Sequence, residues 1–203
     1  LRQIDDAVLR DACLQISEWA TSRSGVTPRL SVNVSASSLA DPQLKDRVQQ
    51  VLLDCDFPPR HLFLEITETT LVEDVASAYD NISSLETLGI RLAIDDFGTG
   101  YSSLSYLKRF PVGILKIDRS FVDGLGRSSE DEIIVETVIQ MACSLGLEVV
   151  AEGVETEQQA DLLRACGCHY LQGYLYGRPA DAATSEQRYR RSLNEQLGLA
   201  LPG

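Results

Sequence analysis

Six short apolar runs in this 203-residue chain each end in a residue that can bind a cation or move a proton. Leu30-Ser31-Val32 leads into Asn33, and Leu62-Phe63-Leu64 into Glu65. Leu92-Ala93-Ile94 leads into Asp95-Asp96, and Ile114-Leu115 into Lys116. Val149-Val150-Ala151 leads into Glu152, and His169-Tyr170-Leu171 into Gln172. Carboxylates and an amide are hard oxygen donors, suited to divalent cations. A carboxylate or a lysine within hydrogen-bond reach can also orient a water. Neighbouring strand side chains point to opposite faces, so Asp95 and Asp96 serve one site only if the strand has ended and the backbone bends. The glycines that follow, Gly98 and Gly100, allow such a bend. A shared carboxylate can bridge two ions about 3.5–4 Å apart, the spacing of two-metal phosphoryl chemistry.

Each residue taken alone also has a plainer reading. Asp95-Asp96 before glycines suits a turn with a helix N-cap. Asn33 before Ser35 suits a turn, and Glu65 with Glu68 suits the dipole of a following helix. Gln172 can bond a base or phosphate, or satisfy a buried neighbour. Lys116 is different, because a lysine inside an apolar stretch needs a partner. It can pair with the nearby acids, hold a water or form a Schiff base. What weakens the plain readings is shared placement: independent caps and turns would not all fall at the same end of successive strands. His61 and His169 fall at the opposite end and receive no role.

The elements that must position these residues follow from periodicity and punctuation. Helical spacing runs over 4–21, and strands are expected at 30–34, 61–66, 90–95, 114–117, 147–151 and 168–175. Between them lie helices at about 41–55, opened by Asp41-Pro42, and at 71–88, closed by Gly89. Others are expected near 102–108, at 129–145, at 156–166 and at 183–196. Strands alternating with helices describe an α/β protein with a parallel barrel, whose chemistry sits at the carboxyl ends of its strands. Such a barrel usually has eight strands, so about two are expected to be missing at the front. One domain over 1–203 is the economical division.

Thirty acids against 18 bases give a net charge of −12, which argues against nucleic acid or an anionic membrane as the general partner. A small phosphorylated substrate remains open, since a metal ion can supply positive charge. The five cysteines are odd in number and irregularly spaced, which fits idle thiols in a reducing compartment better than disulfides or zinc. With no signal peptide and no long apolar run, the chain reads as cytoplasmic, alone or as part of a larger protein.

Strings in this chain resemble those of the EAL-domain cyclic di-GMP phosphodiesterases of bacterial signalling. They are Ser31-Val32-Asn33-Val34-Ser35, Glu65-Ile66-Thr67-Glu68, Asp95 to Leu104, Leu115-Lys116-Ile117-Asp118, Ala151-Glu152-Gly153-Val154-Glu155 and Gln172-Gly173-Tyr174-Leu175. The resemblance implies a modified (β/α)8 barrel and hydrolysis of cyclic di-GMP to linear pGpG with Mg²⁺ or Mn²⁺, two ions in all. It implies that Asn33, Glu65 and Asp95 bind the first ion, and Asp95 and Asp96 the second with Glu152 close by. Lys116 would orient the attacking water, Glu152 act as general base and Gln172 contact substrate. Glu68 would anchor the loop after Asp96, with Glu155 a supporting acid.

The resemblance also implies an upstream sensory or GGDEF domain and a homodimer formed near the loop after Asp96. Two departures stand out. Gly113 replaces the family's usual aspartate, a change expected to be minor. The Glu-Ala-Leu string that names the family is absent, and its glutamate is a first-ion ligand there. The chain as written is thus expected to bind that ion poorly, as an active enzyme lacking its N-terminal part. The competing readings are a non-catalytic cyclic di-GMP receptor of the same fold and, further off, a Schiff-base lyase using Lys116.

Overall fold

The computed structural model describes residues 2–21, 27–73, 75–98, 107 and 110–197. Helix α1 (Arg2–Thr21) is followed by strands β1 (Leu30–Asn33), β2 (Leu62–Thr67), β3 (Arg91–Phe97), β4 (Val112–Ile117), β5 (Glu148–Ala151) and β6 (Tyr170–Leu171). The strands form one sheet in chain order, with every neighbouring pair parallel. Parallel neighbours need crossovers, and these carry helices. Helices α2 (Ala36–Leu39) and α3 (Leu44–Asp54) precede β2, and α4 (Glu68–Glu73) and α5 (Val75–Glu86) precede β3. Helices α6 (Arg119–Val122) and α7 (Ser129–Ser144) precede β5, α8 (Glu157–Ala165) precedes β6, and α9 (Ala182–Leu197) comes last.

The sheet is strongly curled. Flat, its edge strands would lie about 24 Å apart, at about 4.8 Å per strand. Yet Arg29, beside edge strand β1, donates to the Tyr170 hydroxyl on edge strand β6 at 2.6 Å. Six parallel strands in sequential order, curled with helices outside, make the expected α/β half-barrel.

Helices cover the outer face of the sheet, and the inner face of its middle strands is buried too, which explains their near-continuous apolar runs. Outward-facing Leu62, Leu64, Ile66, Leu92, Ile94, Leu115, Ile117 and Val149 pack in one buried cluster with the helices. The helices contribute Cys13, Val48, Ile82, Ile139 and Leu163, among others. Inward-facing Phe63, Ala93 and Ile114, with Val150 against them, form a second, separate cluster.

Several boundaries differ from those read in the sequence. Helix α3 begins at Leu44 rather than near Asp41, because the Asp41 carboxylate accepts from the Gln43 N–H and holds a turn there. The helix expected to begin at 71 starts earlier, at Glu68 directly after β2. Strand β3 runs two residues past Asp95, to Phe97. The last strand, expected over 168–175, shrinks to Tyr170–Leu171. On one side the His169 ring takes the Val149 N–H, and on the other Gly173 turns the chain, accepting from the Tyr176 N–H. The helix expected near 102–108 lies outside the described residues, save Leu107.

Candidate active site

Residues two apart on a strand share a face. Phe63, Ala93, Ile114 and Val150 form the inner apolar layer. Two residues further along come Glu65, Asp95 and Lys116 on the same strands, and Glu152 just past the end of β5. The inner wall therefore delivers one ammonium and three carboxylates to the carboxyl end of the barrel.

They meet. Lys116 Nζ lies 2.7 Å from Glu152 Oε1, 2.9 Å from Glu65 Oε2 and 2.9 Å from Asp95 Oδ1. Lys116 is 4% exposed and Glu65 8%. Burial pulls the Lys116 pKa down, but Glu152, Asp95 and Glu65 outweigh it and hold the pKa above its ordinary value. A lysine so held stays protonated, which opposes Schiff-base chemistry. Burial raises the Glu152 pKa and the Lys116 contact only partly offsets it. Asp96 is raised too, by burial first and then by the neighbouring Asp95 charge.

Asp95 and Asp96 do face one site, though not by the route expected. The strand does not end between them, and the bend is not left to the glycines. Asp96 itself has φ +54°, within a register shift of β3 against β4. Aspartate is one of the few non-glycine residues that enters this left-handed region readily. The result is a bulge that turns two successive carboxylates the same way. Oxygens of Asp95, Asp96 and Glu152 lie within 4.8 Å of one another. This all-oxygen, anionic donor set fits a hard divalent cation.

The remaining candidates fall around this cluster. Asn33 ends β1 in register with Glu65, the next strand over. Gln172 lies just past β6, its side chain exposed at the mouth of the interior cleft lined also by Ser31, Phe63 and Val150. Glu68 is 8% exposed, and its Oε2 accepts from the Gly98 N–H at 3.1 Å, at the start of the loop after Asp96. Glu155 stands apart from the carboxylate cluster and pairs with Arg119 at 2.9 Å.

Three residues to which the sequence assigns no role support the site. Gly173 lies so close to the next turn that a Cβ would come within 2.1 Å of the Val154 carbonyl oxygen. That approach lets the Val154 N–H reach the Gln172 carbonyl and ties Gln172 to the Glu152 strand end. Gln159 caps helix α8, and its signal was present as a Thr-x-x-Gln capping box. Asp5 binds the turn after Asn33. No local pattern announces it, since its partners lie 30 and 33 residues away.

The EAL domain family matches residues 1–179. The bifunctional diguanylate cyclase/cyclic di-GMP phosphodiesterase MucR of Pseudomonas aeruginosa is 43% identical over 180 residues, covering 89% of this chain but only 26% of MucR. The structure of the MucR phosphodiesterase in complex with c-di-GMP superposes with a TM-score of 0.84 at 43% identity, covering 90% of this chain and 74% of that one. A manganese and c-di-GMP complex of Klebsiella pneumoniae BlrP1 gives 0.80 at 30% identity, covering 88% of this chain and 45% of that one. With the match spanning the whole sheet and every strand end described above, the chain belongs to the EAL domain family.

Proposed function

We propose that this chain hydrolyses one phosphodiester bond of cyclic di-GMP to give linear pGpG, with Mg²⁺ or Mn²⁺ as cofactor. The observation that carries the reading is the convergence of Glu65, Asp95 and Glu152 on Lys116 at the carboxyl end of a parallel barrel wall. The names of its relatives supply the substrate.

Asn33, Glu65, Asp95, Asp96 and Glu152 would hold the cations, as two sites sharing Asp95. Bound divalent ions lower the pKa of water and neutralise charge on a phosphodiester. The chain's own groups do the rest. The Lys116 ammonium, fixed by three carboxylates, donates a hydrogen bond that orients the attacking water. Glu152, raised in pKa by burial, accepts its proton. The water oxygen bonds to phosphorus as the bond to the ribose oxygen breaks; that oxygen takes a proton from solvent, and Glu152 returns the water's proton to solvent. Gln172 bonds the nucleotide at the cleft mouth, while Glu68 holds the loop after Asp96 and Glu155 steadies the rim through Arg119.

We place the protein in the cytoplasm, as a homodimer contacting through the region of the loop after Asp96, below a sensory or GGDEF domain. Five free thiols suit a reducing compartment, and no described helix is long and apolar enough to cross a membrane. The net charge of −12 opposes DNA as a partner.

The test is cyclic di-GMP turnover by the full-length protein, with product identified by chromatography. Conversion to pGpG with Mn²⁺, none in EDTA, and a loss of about 10²–10⁴-fold in Lys116→Ala and Glu152→Gln are expected. Binding of the dinucleotide without cleavage under all conditions would establish the receptor reading instead.

A further inference from the structure

We propose that Asp5, on helix α1, is a positioning residue for the metal site, acting through Asn33. The inference rests on the reading of Asn33 as a cation ligand. Asp5 Oδ2 accepts from the Ser35 N–H at 3.3 Å, from Ser35 Oγ at 2.6 Å and from Ser38 Oγ at 2.6 Å. Ser35 lies two residues past Asn33, and its Oγ in turn accepts from the Ser38 N–H as the N-cap of α2. The Val34 N–H donates to the Glu65 carbonyl at 2.9 Å. The backbone leaving Asn33 is thus held from two directions, by the strand that carries Glu65 and by the Asp5 carboxylate.

Two observations separate this from ordinary helix capping. First, α2 is only four residues long, and Ser35 already supplies its own N-cap, so Asp5 adds a second fastening. Second, Asp5 and Asn33 line the same cleft between α1 and β1, together with Ser31 and Val32. Burial acts to raise the Asp5 pKa, but the bonds from Ser35 and Ser38 prevail and keep it below the usual carboxylate range. The fastening is therefore ionised at neutral pH. Ser38 is completely buried, so removing its acceptor strands a hydroxyl and forces the turn to rearrange. An amide whose backbone is free to shift meets a cation with fewer correctly oriented contacts. Partners of this kind, one step behind the ligands, tune affinity by about 10–100-fold.

The test compares Mn²⁺ affinity by calorimetry, turnover at saturating Mn²⁺, and thermal midpoint in EDTA, all in the full-length protein. Asp5→Asn and Ser38→Ala are the variants, with Asn33→Ala as reference. Arg47→Gln is the control: Arg47 joins α1 to the same region by pairing with Asp6 and Asp41, and the Asp5 bonds to Ser35 and Ser38 do not involve it. The expected result is a dissociation constant raised about tenfold in Asp5→Asn and several-fold in Ser38→Ala, with kcat at saturating Mn²⁺ within about twofold of wild type. Arg47→Gln lowers the midpoint but leaves Mn²⁺ affinity unchanged. The inference fails alone if Asn33→Ala weakens Mn²⁺ binding while Asp5→Asn only lowers the midpoint. It also fails alone if Arg47→Gln weakens Mn²⁺ binding as much as Asp5→Asn does. If Asn33→Ala leaves Mn²⁺ affinity intact, the ligand role of Asn33 falls and takes the role of Asp5 with it.

Discussion

Asp96 carries two burdens at once: a left-handed backbone and a carboxylate crowded by Asp95. Asparagine tolerates the same backbone but removes the charge. With divalent ions chelated, Asp96→Asn is therefore expected to raise the thermal midpoint at pH 7 by a few degrees, about 1 kcal/mol in a chain of this size. With Mn²⁺ added, the same variant binds the ion more weakly than wild type. The pH dependence follows from the direction of the shifts. Asp96 and Glu152 have raised pKa values, so the folded chain holds their protons more tightly than the unfolded chain does. Their stabilising contribution is present below the unfolded values of 3.8 and 4.5 and is lost as pH rises through the folded ones. In EDTA, Asp96→Asn should lose less stability than wild type between pH 4 and pH 7. A midpoint that drops in the variant at pH 7 would show that the crowded charge is not a burden.

At the scale of elements, the sequence signals that succeeded were the covalent and periodic ones. Apolar runs closed by a polar residue marked the ends of β1, β4 and β5 to within a residue, while β2, like β3, runs two residues past its acid. The helix expected over 129–145 runs from Ser129 to Ser144, and Ser128 caps it, accepting from the Asp131 N–H. What could not be read depends on partners distant in sequence. The bulge at Asp96 needs β4 beside it, and β6 is cut short by the His169 ring and by Gly173 against Val154. Gln159 combines both kinds. Its Oε1 accepts from the Glu155 and Thr156 N–H groups at 2.9 and 3.0 Å, a local pattern, while its Nε2 donates to the Val122 carbonyl at 3.1 Å. At 6% exposure, its loss strands the carbonyl of the fully buried Val122 and leaves the Glu155 and Thr156 N–H groups without this acceptor. Gln159→Ala is expected to cost about 2–3 kcal/mol, measured by urea unfolding. Glu157→Ala, an exposed change on the same helix, should stay within about 0.5 kcal/mol. Equal effects would remove Gln159 from the account of how the Glu152 strand end is fixed.

At the scale of the whole molecule, the two ends of the barrel wall are built on opposite plans. The carboxyl end gathers carboxylates around one lysine, while the amino end sets two arginines about one glutamate. There Arg91 pairs with Glu148 at 2.7 Å and donates to the Gly113 carbonyl at 3.0 Å. A Cβ on Gly113 would lie 2.6 Å from Arg91 Nε, so the glycine leaves room for this arginine. Arg29 and Arg91 both lie 5.5 Å from the centre of the Phe63 ring. Tyr170 accepts from Arg29 and donates to Glu148 at 3.2 Å. This network joins the first strand to the last across the interior, so it should report on the curl that brings all the site residues together. A double-mutant cycle of Arg29→Ala and Tyr170→Phe isolates the bridge, since phenylalanine keeps the ring and removes the hydroxyl. Because Arg29 is half exposed, the expected coupling is modest, about 0.5–1 kcal/mol, and it should shrink as salt is raised. Strictly additive effects at low salt would mean that the edges of the wall do not meet in solution. In that case the geometry around Lys116 would have to be held by the packing of the helices alone.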